Sequence, residues 1–241
     1  MRKLFVRRED GVPPLAGLYA SGGRSGIVAL KLYLTIVWRC STAPYETSAP
    51  ARGWASLLGL EDPAGRGARR VAAALKTLAA HQLVQVTSRG GQSPVVALLD
   101  ESGDGSDYTL PSTAYARAPT GRGGDEVRAR SRYFLLPGRL WTEGHMQSLA
   151  GPGLVMLLIL LAEQGGQGVP VWFSTESFPA RYRISHKTRA AGTQQLIAQG
   201  LLLLERQSLA ARPYASDLDA RRYRNVYHLQ GAARTRAEQT P

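Results

Sequence analysis

Four cations in one periodic stretch are the first residues with usable chemistry. Arg66, Arg69, Arg70 and Lys76 fall between Arg66 and His81, where apolar residues recur at helical spacing. With Val71, Leu75 and Leu78 facing a core, a turn of about 100° per residue points Arg69, Ala73 and Lys76 away from it, with Arg66 and Arg70 flanking. A guanidinium can pair with guanine O6 and N7, and both Arg and Lys neutralise phosphate. Small Ala72 and Ala73 between the cations would let the helix backbone settle into a major groove about 12 Å wide. A solvated basic face is the competing reading of any single charged helix. The concentration of cations in the N-terminal half favours DNA contact, because that half is the part of such a helix that enters the groove.

A second set follows later in the chain. Ser185 is expected to cap a helix from His186 to Gln199. Its outward face would carry Lys187, Ala191, Gln194 and Ala198, with His186 and Thr188 beside it. Gln194 can make a bidentate contact to adenine; a merely solvated amide is the alternative. Arg181, Arg183, Arg206, Arg212, Arg221, Arg222 and Arg224 would add backbone contacts, and Arg89 is the corresponding cation in the first half.

The rest of the chain must position these groups. It has 241 residues, enough for one large domain or two of about 100 residues each. There are 30 Lys+Arg against 18 Asp+Glu, a net charge of +12, which calls for an anionic partner. Only four of the cations are lysine (Lys3, Lys31, Lys76 and Lys187). A GC-rich coding bias explains an excess of Arg over Lys as readily as selection for bidentate pairing, but it does not explain the excess of cations over anions. Cys40 is the only cysteine, so neither an intramolecular disulfide nor a Cys-built zinc site is expected. The longest apolar run, Leu154 to Ala162, has nine residues, short of the roughly 20 that a membrane span needs. The N-terminal stretch has no apolar segment of signal-peptide length, so a cytoplasmic, nucleoid-associated protein is expected.

Self-comparison shows two divergent copies of one unit, with a period of roughly 120 residues. Gly26-Ile-Val-Ala-Leu-Lys-Leu-Tyr-Leu is similar to Gly153-Leu-Val-Met-Leu-Leu-Ile-Leu-Leu. Leu78 and Leu83 align with Leu196 and Leu201. The first copy reads as a helix from about Gly26 to Arg39, an extended Tyr45-Glu-Thr, and helices at Arg52 to Leu58 and Arg66 to His81. Strands Leu83 to Ser88 and Val95 to Leu99 follow. The second copy reads as a helix from Pro152 to Gln164, a strand Val169 to Phe173, helices at Thr175 to Tyr182 and His186 to Gln199, and strands Leu201 to Arg206 and Tyr223 to Leu229. Residues Asp100 to Arg132, without a period and rich in Gly, Asp, Pro and Arg, read as a mobile linker. The tail after Gly231 reads as frayed.

Helix, strand, helix, turn, helix and hairpin is the order of a winged helix-turn-helix. Leu57-Leu-Gly-Leu, Arg69-Arg-Val-Ala-Ala-Ala-Leu-Lys-Thr-Leu and Leu83-Val-Gln-Val resemble the second helix, recognition helix and first wing strand of bacterial winged-helix regulators. Tyr182-Arg-Ile-Ser-His-Lys-Thr with Leu196-Ile-Ala-Gln-Gly-Leu-Leu is similar. The first copy departs by the insertion Glu61-Asp-Pro-Ala-Gly-Arg-Gly, which blurs the start of its recognition helix. The second departs at Arg189, where an apolar residue is usual; either it snorkels outward or the register is off by one. The expected fold is mainly α with small β hairpins (α+β): tandem winged-helix domains at 1–99 and 133–230, a linker at 100–132 and a tail at 231–241. The resemblance implies sequence-specific binding of double-stranded DNA, as a transcriptional regulator or as a plasmid-type replication initiator binding repeated origin sites. A homodimer on DNA would read a longer repeat.

No cofactor, metal or catalytic residue is expected. The sequence has no Walker-type phosphate loop, no His-x-His and no His-Glu-x-x-His. Gly123-Gly-Asp-Glu-Val resembles the diguanylate cyclase signature but falls in the Gly- and Arg-rich connection. Arg183, His186 and Tyr227 make a poor recombinase site. A DNA-cleaving enzyme and a protein-interaction module remain the rival classes. Trp54, Trp141, Trp172, Tyr33 and Phe178 read as core, Trp38 as a packing or dimer contact, and Leu154 to Leu161 as an enclosed helix.

Overall fold

An uninterrupted apolar run has no polar face to offer water, so the helix that contains it must be enclosed. In the computed structural model, which describes residues 1–21, 23–88, 90–121, 124–164, 171–208 and 223–234, every residue from Gly153 to Ala162 is buried. In chain order the elements are α1 (Pro14–Ala20), α2 (Gly23–Arg39), β1 (Glu46–Ser48), α3 (Ala51–Leu57), α4 (Arg66–Ala80), β2 (Val84–Thr87) and β3 (Val95–Leu98). Then come α5 (Pro111–Arg117), α6 (Gly124–Arg130), α7 (Arg139–Thr142), α8 (His145–Ser148), α9 (Gly151–Gln164), β4 (Val171–Trp172), α10 (Ser177–Tyr182), α11 (His186–Ala198), β5 (Leu202–Ser208) and β6 (Tyr223–Leu229). The fold is mixed α+β with small antiparallel sheets. No helix among the described residues is long and apolar enough to cross a membrane.

The internal repeat extends to individual hydrogen bonds. The sheets have orders β1-β3-β2 and β4-β6-β5, and Val84 pairs with Leu98 as Leu202 pairs with Leu229. Leu83 N–H donates to the Leu78 carbonyl at 3.1 Å, and Leu201 N–H donates to Leu196 at 2.9 Å. Between each pair the chain passes through a left-handed residue, Gln82 (φ 54°) and Gly200 (φ 67°). The Leu83 carbonyl accepts from Leu99 N–H, and that of Leu201 from Gln230 N–H. The helix-to-strand exit therefore has the same hydrogen-bond pattern and a left-handed residue at the same point in both halves.

Residues 100–132 are not a structureless linker. Asp100 and Asp104 carboxylates accept the N–H groups of Ser102 and Ser106, which makes the Gly-Asp-Ser composition a pair of tight turns. Glu101 is fully buried and pairs with Arg2, itself 5% exposed. Arg2 also meets Asp100 at 3.1 Å and donates to the Thr109 carbonyl at 2.8 Å. Helices α5 and α6 follow, and α6 takes in Gly124 to Val127 of the Gly-Gly-Asp-Glu-Val stretch, whose first glycine lies outside the described residues. The start of the tail is packed too: Ala232 and Ala233 are buried in a turn of 3-10 helix at Gly231–Ala233.

The two halves share one hydrophobic core. Lys31 of α2 donates to the Gln147 carbonyl at 2.8 Å, and Gln147 in turn donates to the Leu57 carbonyl at 2.9 Å. The Trp141 indole N–H donates to Thr35 Oγ1 at 3.0 Å and its ring stacks on Trp38 at 5.0 Å. Trp38 packs on Trp141 with one side and is 37% exposed. Trp54, Trp141, Tyr33 and Phe178 are core, as expected. Trp172 is not: it is 52% exposed. The alternation of a strand buries Val171 and turns its neighbour Trp172 outward.

Candidate nucleic-acid interface

The start of α4 is set by the insertion that made it hard to place. Asp62 takes a left-handed φ of 48°, and its carboxylate accepts from Gly65 N–H at 3.1 Å and Arg66 N–H at 2.8 Å. Its carbonyl accepts from Gly67 N–H at 2.8 Å. Asp62 thus satisfies three of the donors that a helix N-terminus leaves open, and the helix begins at Arg66. Gly67, Val71, Ala74, Leu75 and Leu78 form its buried stripe. Arg66, Arg69, Arg70, Ala73 and Lys76 are all exposed, as are Ala72 and Ala79. The Asp62–Arg66 ion pair, at 3.9 Å and open to solvent, contributes little. Arg70 lies close enough to Lys31 for its field, after the larger effect of burial, to lower the Lys31 pKa.

At α11 the Ser185 cap is present. Its hydroxyl accepts from Thr188 N–H at 3.1 Å and lies 3.0 Å from Thr188 Oγ1. Thr188 is half-buried and engaged by its cap, whereas His186, Lys187, Ala191, Gln194 and Ala198 are exposed. The helix packs closely on α9 at Gly192, where a Cβ would fall 2.3 Å from the Pro152 carbonyl oxygen. Gln195 Oε1 accepts from Gly153 N–H at 3.1 Å and adds a polar tie.

Arg189 corrects one expectation and settles the register. Gly192, Thr193 and Leu196 are the buried stripe of α11, and Arg189 lies on it, three and four residues earlier. The side chain does not snorkel. Its guanidinium donates to the Tyr227 hydroxyl at 3.2 and 3.0 Å and lies 4.8 Å from the Phe178 ring centroid and 5.3 Å from that of Phe173. A planar, weakly hydrated cation can take an apolar position when rings surround it. Tyr227 is 3% exposed and its hydroxyl accepts from Arg189.

The hairpin β5–β6 carries a ladder of cations and rings. Arg224 is half-buried, bonded to Gln207 across the strands at 2.8 Å and laid 5.5 Å from the Trp172 ring centroid. Arg206 lies 4.2 Å from the ring centroid of Tyr223, which is 53% exposed. Arg183, at the end of α10, is exposed with a left-handed φ of 55°. Arg89, Arg212, Arg221 and Arg222 lie outside the described residues, as do Val169 and Pro170 of the expected strand. Apart from Arg183, the remaining site residues fall into three sets: one cationic helix face on α4, one face on α11 that carries Lys187 and Gln194, and the ends of β5 and β6 nearest their connection.

Three of the four histidines have local partners. His81 meets Ser21 at 2.9 Å, His145 meets Gln199 at 3.3 Å and His228 meets Glu205 at 3.2 Å. The described residues contain no group of three or more His, Cys, Asp or Glu able to hold a metal ion.

Fold and surface thus define an α+β chain built of two like units with one strongly cationic helix face. No family model matches the chain, and no curated protein or solved structure matches it either.

Proposed function

We propose that the chain is a tandem winged-helix protein that binds double-stranded DNA sequence-specifically, as a transcriptional regulator. The observation that carries the reading is the outward face of α4, where Arg66, Arg69, Arg70 and Lys76 flank small Ala72 and Ala73 on a helix whose opposite face is buried. Its counterpart in the repeat, α11, presents Lys187 and Gln194. In this reading α4 supplies phosphate neutralisation and guanine contacts, and α11 supplies amide readout. The Arg206 and Arg224 hairpin lies over phosphate or the adjacent minor groove.

The shared core changes the expected mechanism. A buried contact at Thr35–Trp141 and half-buried ones at Lys31–Gln147 and Gln147–Leu57 hold the two units, so spacing between half-sites is set by packing instead of by a flexible tether. Selection of bound duplexes from a random library tests the reading. A recovered asymmetric sequence with two half-sites at fixed spacing supports it, and a pool with no enriched sequence refutes it.

A further inference from the structure

A second concentration of charge lies away from the helix faces. Lys3, Arg7 and Arg8 of the N-terminal segment, Arg130 at the end of α6, Arg132 and Arg181 of α10 line one cavity of about 640 Å³. That volume falls within the range of small-molecule sites. Two of the cations share one carboxylate: Glu163 meets Arg7 at 3.1 Å and Arg181 at 4.0 Å, which leaves a net positive charge on the three. Arg8 donates to the Ser102 carbonyl. Among the described residues the side chains of Lys3 and Arg132 make no hydrogen bond or ion pair, and Arg130 meets only the field of Asp104. Lys3 is half-buried, and its pKa is lowered by desolvation and by the fields of Arg7 and Arg132, against an opposing pull from Glu163. Like charges gathered in a partly dehydrated cavity repel one another unless an anion sits between them.

We propose that this cavity binds a compact polyphosphate, a small ligand with two or more adjacent phosphate groups. Several converging cations match several charges on one ligand, and the guanidinium forks suit phosphate oxygens. No aromatic ring lines the cavity, so it offers nothing on which a nucleobase could stack. Glu9, Asp10 and Glu126, all exposed, line it as well. Those carboxylates oppose a duplex passing over the surface, while the half-buried Lys3, Arg7 and Arg8 remain open to a small anion. The site stands independently of the role given to α4.

The test is calorimetric titration of the full chain with inorganic tripolyphosphate at about 0.15 M salt, a range in which exposed, distant charges are screened. The expected result is one ligand per chain, with affinity about tenfold or more lower in K3Q/R132Q, as expected for the loss of charge-assisted bonds. R130Q/R132Q alters only exposed residues and provides the same comparison should K3Q disturb folding. R66Q/R69Q should leave tripolyphosphate binding unchanged. No measurable binding would overturn the proposal, as would weak multi-site binding that falls equally in R66Q/R69Q. Weakening of duplex DNA binding by K3Q/R132Q to the extent seen for R66Q/R69Q would also overturn it, by making the cavity a contact for the DNA backbone.

Discussion

Replacing Glu101 with alanine should destabilise the chain by about 3 kcal/mol, a loss set by the burial of its partner. Glu101 is fully buried, its carboxylate accepts from the Arg2 guanidinium, and Arg2 is 5% exposed. Removing one member of a buried pair typically costs about 3–5 kcal/mol, because the other charge is left dehydrated and unpaired. Here Asp100, at 3.1 Å from Arg2, and the Thr109 carbonyl, at 2.8 Å, retain part of the interaction, so the lower end of that range applies. For a chain of this size the change corresponds to a fall in melting temperature of roughly 6–12 °C. Scanning calorimetry or urea unfolding reads it directly. The double substitution R2M/E101L, which removes both charges together, should recover most of the loss, to within about 1 kcal/mol of wild type. An E101A variant as stable as wild type would refute the reasoning, and so would a double variant no better than the single one. Either result would return residues 100–132 to the status of a tether.

Three further outcomes are expected. Arg189→Ala should cost about 2–3 kcal/mol in urea unfolding through loss of two donors to Tyr227 and of the ring contacts, and Arg189→Lys should not restore it, since an ammonium lacks the planar fork. Full rescue by lysine would contradict that account. The Cys40 thiol is 2% exposed and burial pushes its pKa up to about 11, so a disulfide reagent at neutral pH should modify it only after unfolding; rapid native-state modification would show that the end of α2 opens. Inserting about half a helical turn, 5 bp, between selected half-sites should abolish simultaneous engagement of the two units. Unchanged affinity would indicate independent, flexibly joined units.

The sequence made the elements legible wherever a short-range pattern decided them. The nine-residue apolar run Leu154 to Ala162 became an enclosed helix, the Val71–Leu75–Leu78 spacing set the face of α4, and the Ser185 cap marked the start of α11. Self-comparison recovered the repeat because Leu83 and Leu201 occupy the same hydrogen-bonded exit from a helix. What escaped depends on contacts between distant segments. The Arg2–Glu101 pair spans 99 residues, and nothing near Gly103 or Asp104 signals that their neighbour will be buried. The basic cavity draws on residues 3–10, 126–132 and 181, so no single window of sequence contains it. Arg189 followed the helical period correctly but contradicted residue-type rules, because its rings come from three separate elements of the second unit and their flanks. Trp172 shows the opposite failure: its type suggested core, and strand alternation overruled type.

The central claim, DNA reading by the α4 face, is tested most directly by one set of affinities. Wild type and R66Q/R69Q/K76Q are measured against a selected duplex and a scrambled one across a range of salt concentrations. Wild type should prefer the selected duplex by about a thousandfold or more. The variant should lose about 1–3 kcal/mol for each bidentate base contact removed, and its salt dependence should flatten by about 0.9 in logarithmic slope for each phosphate contact removed. Equal affinity of wild type for both duplexes, or a variant indistinguishable from it in preference and slope, would contradict the claim.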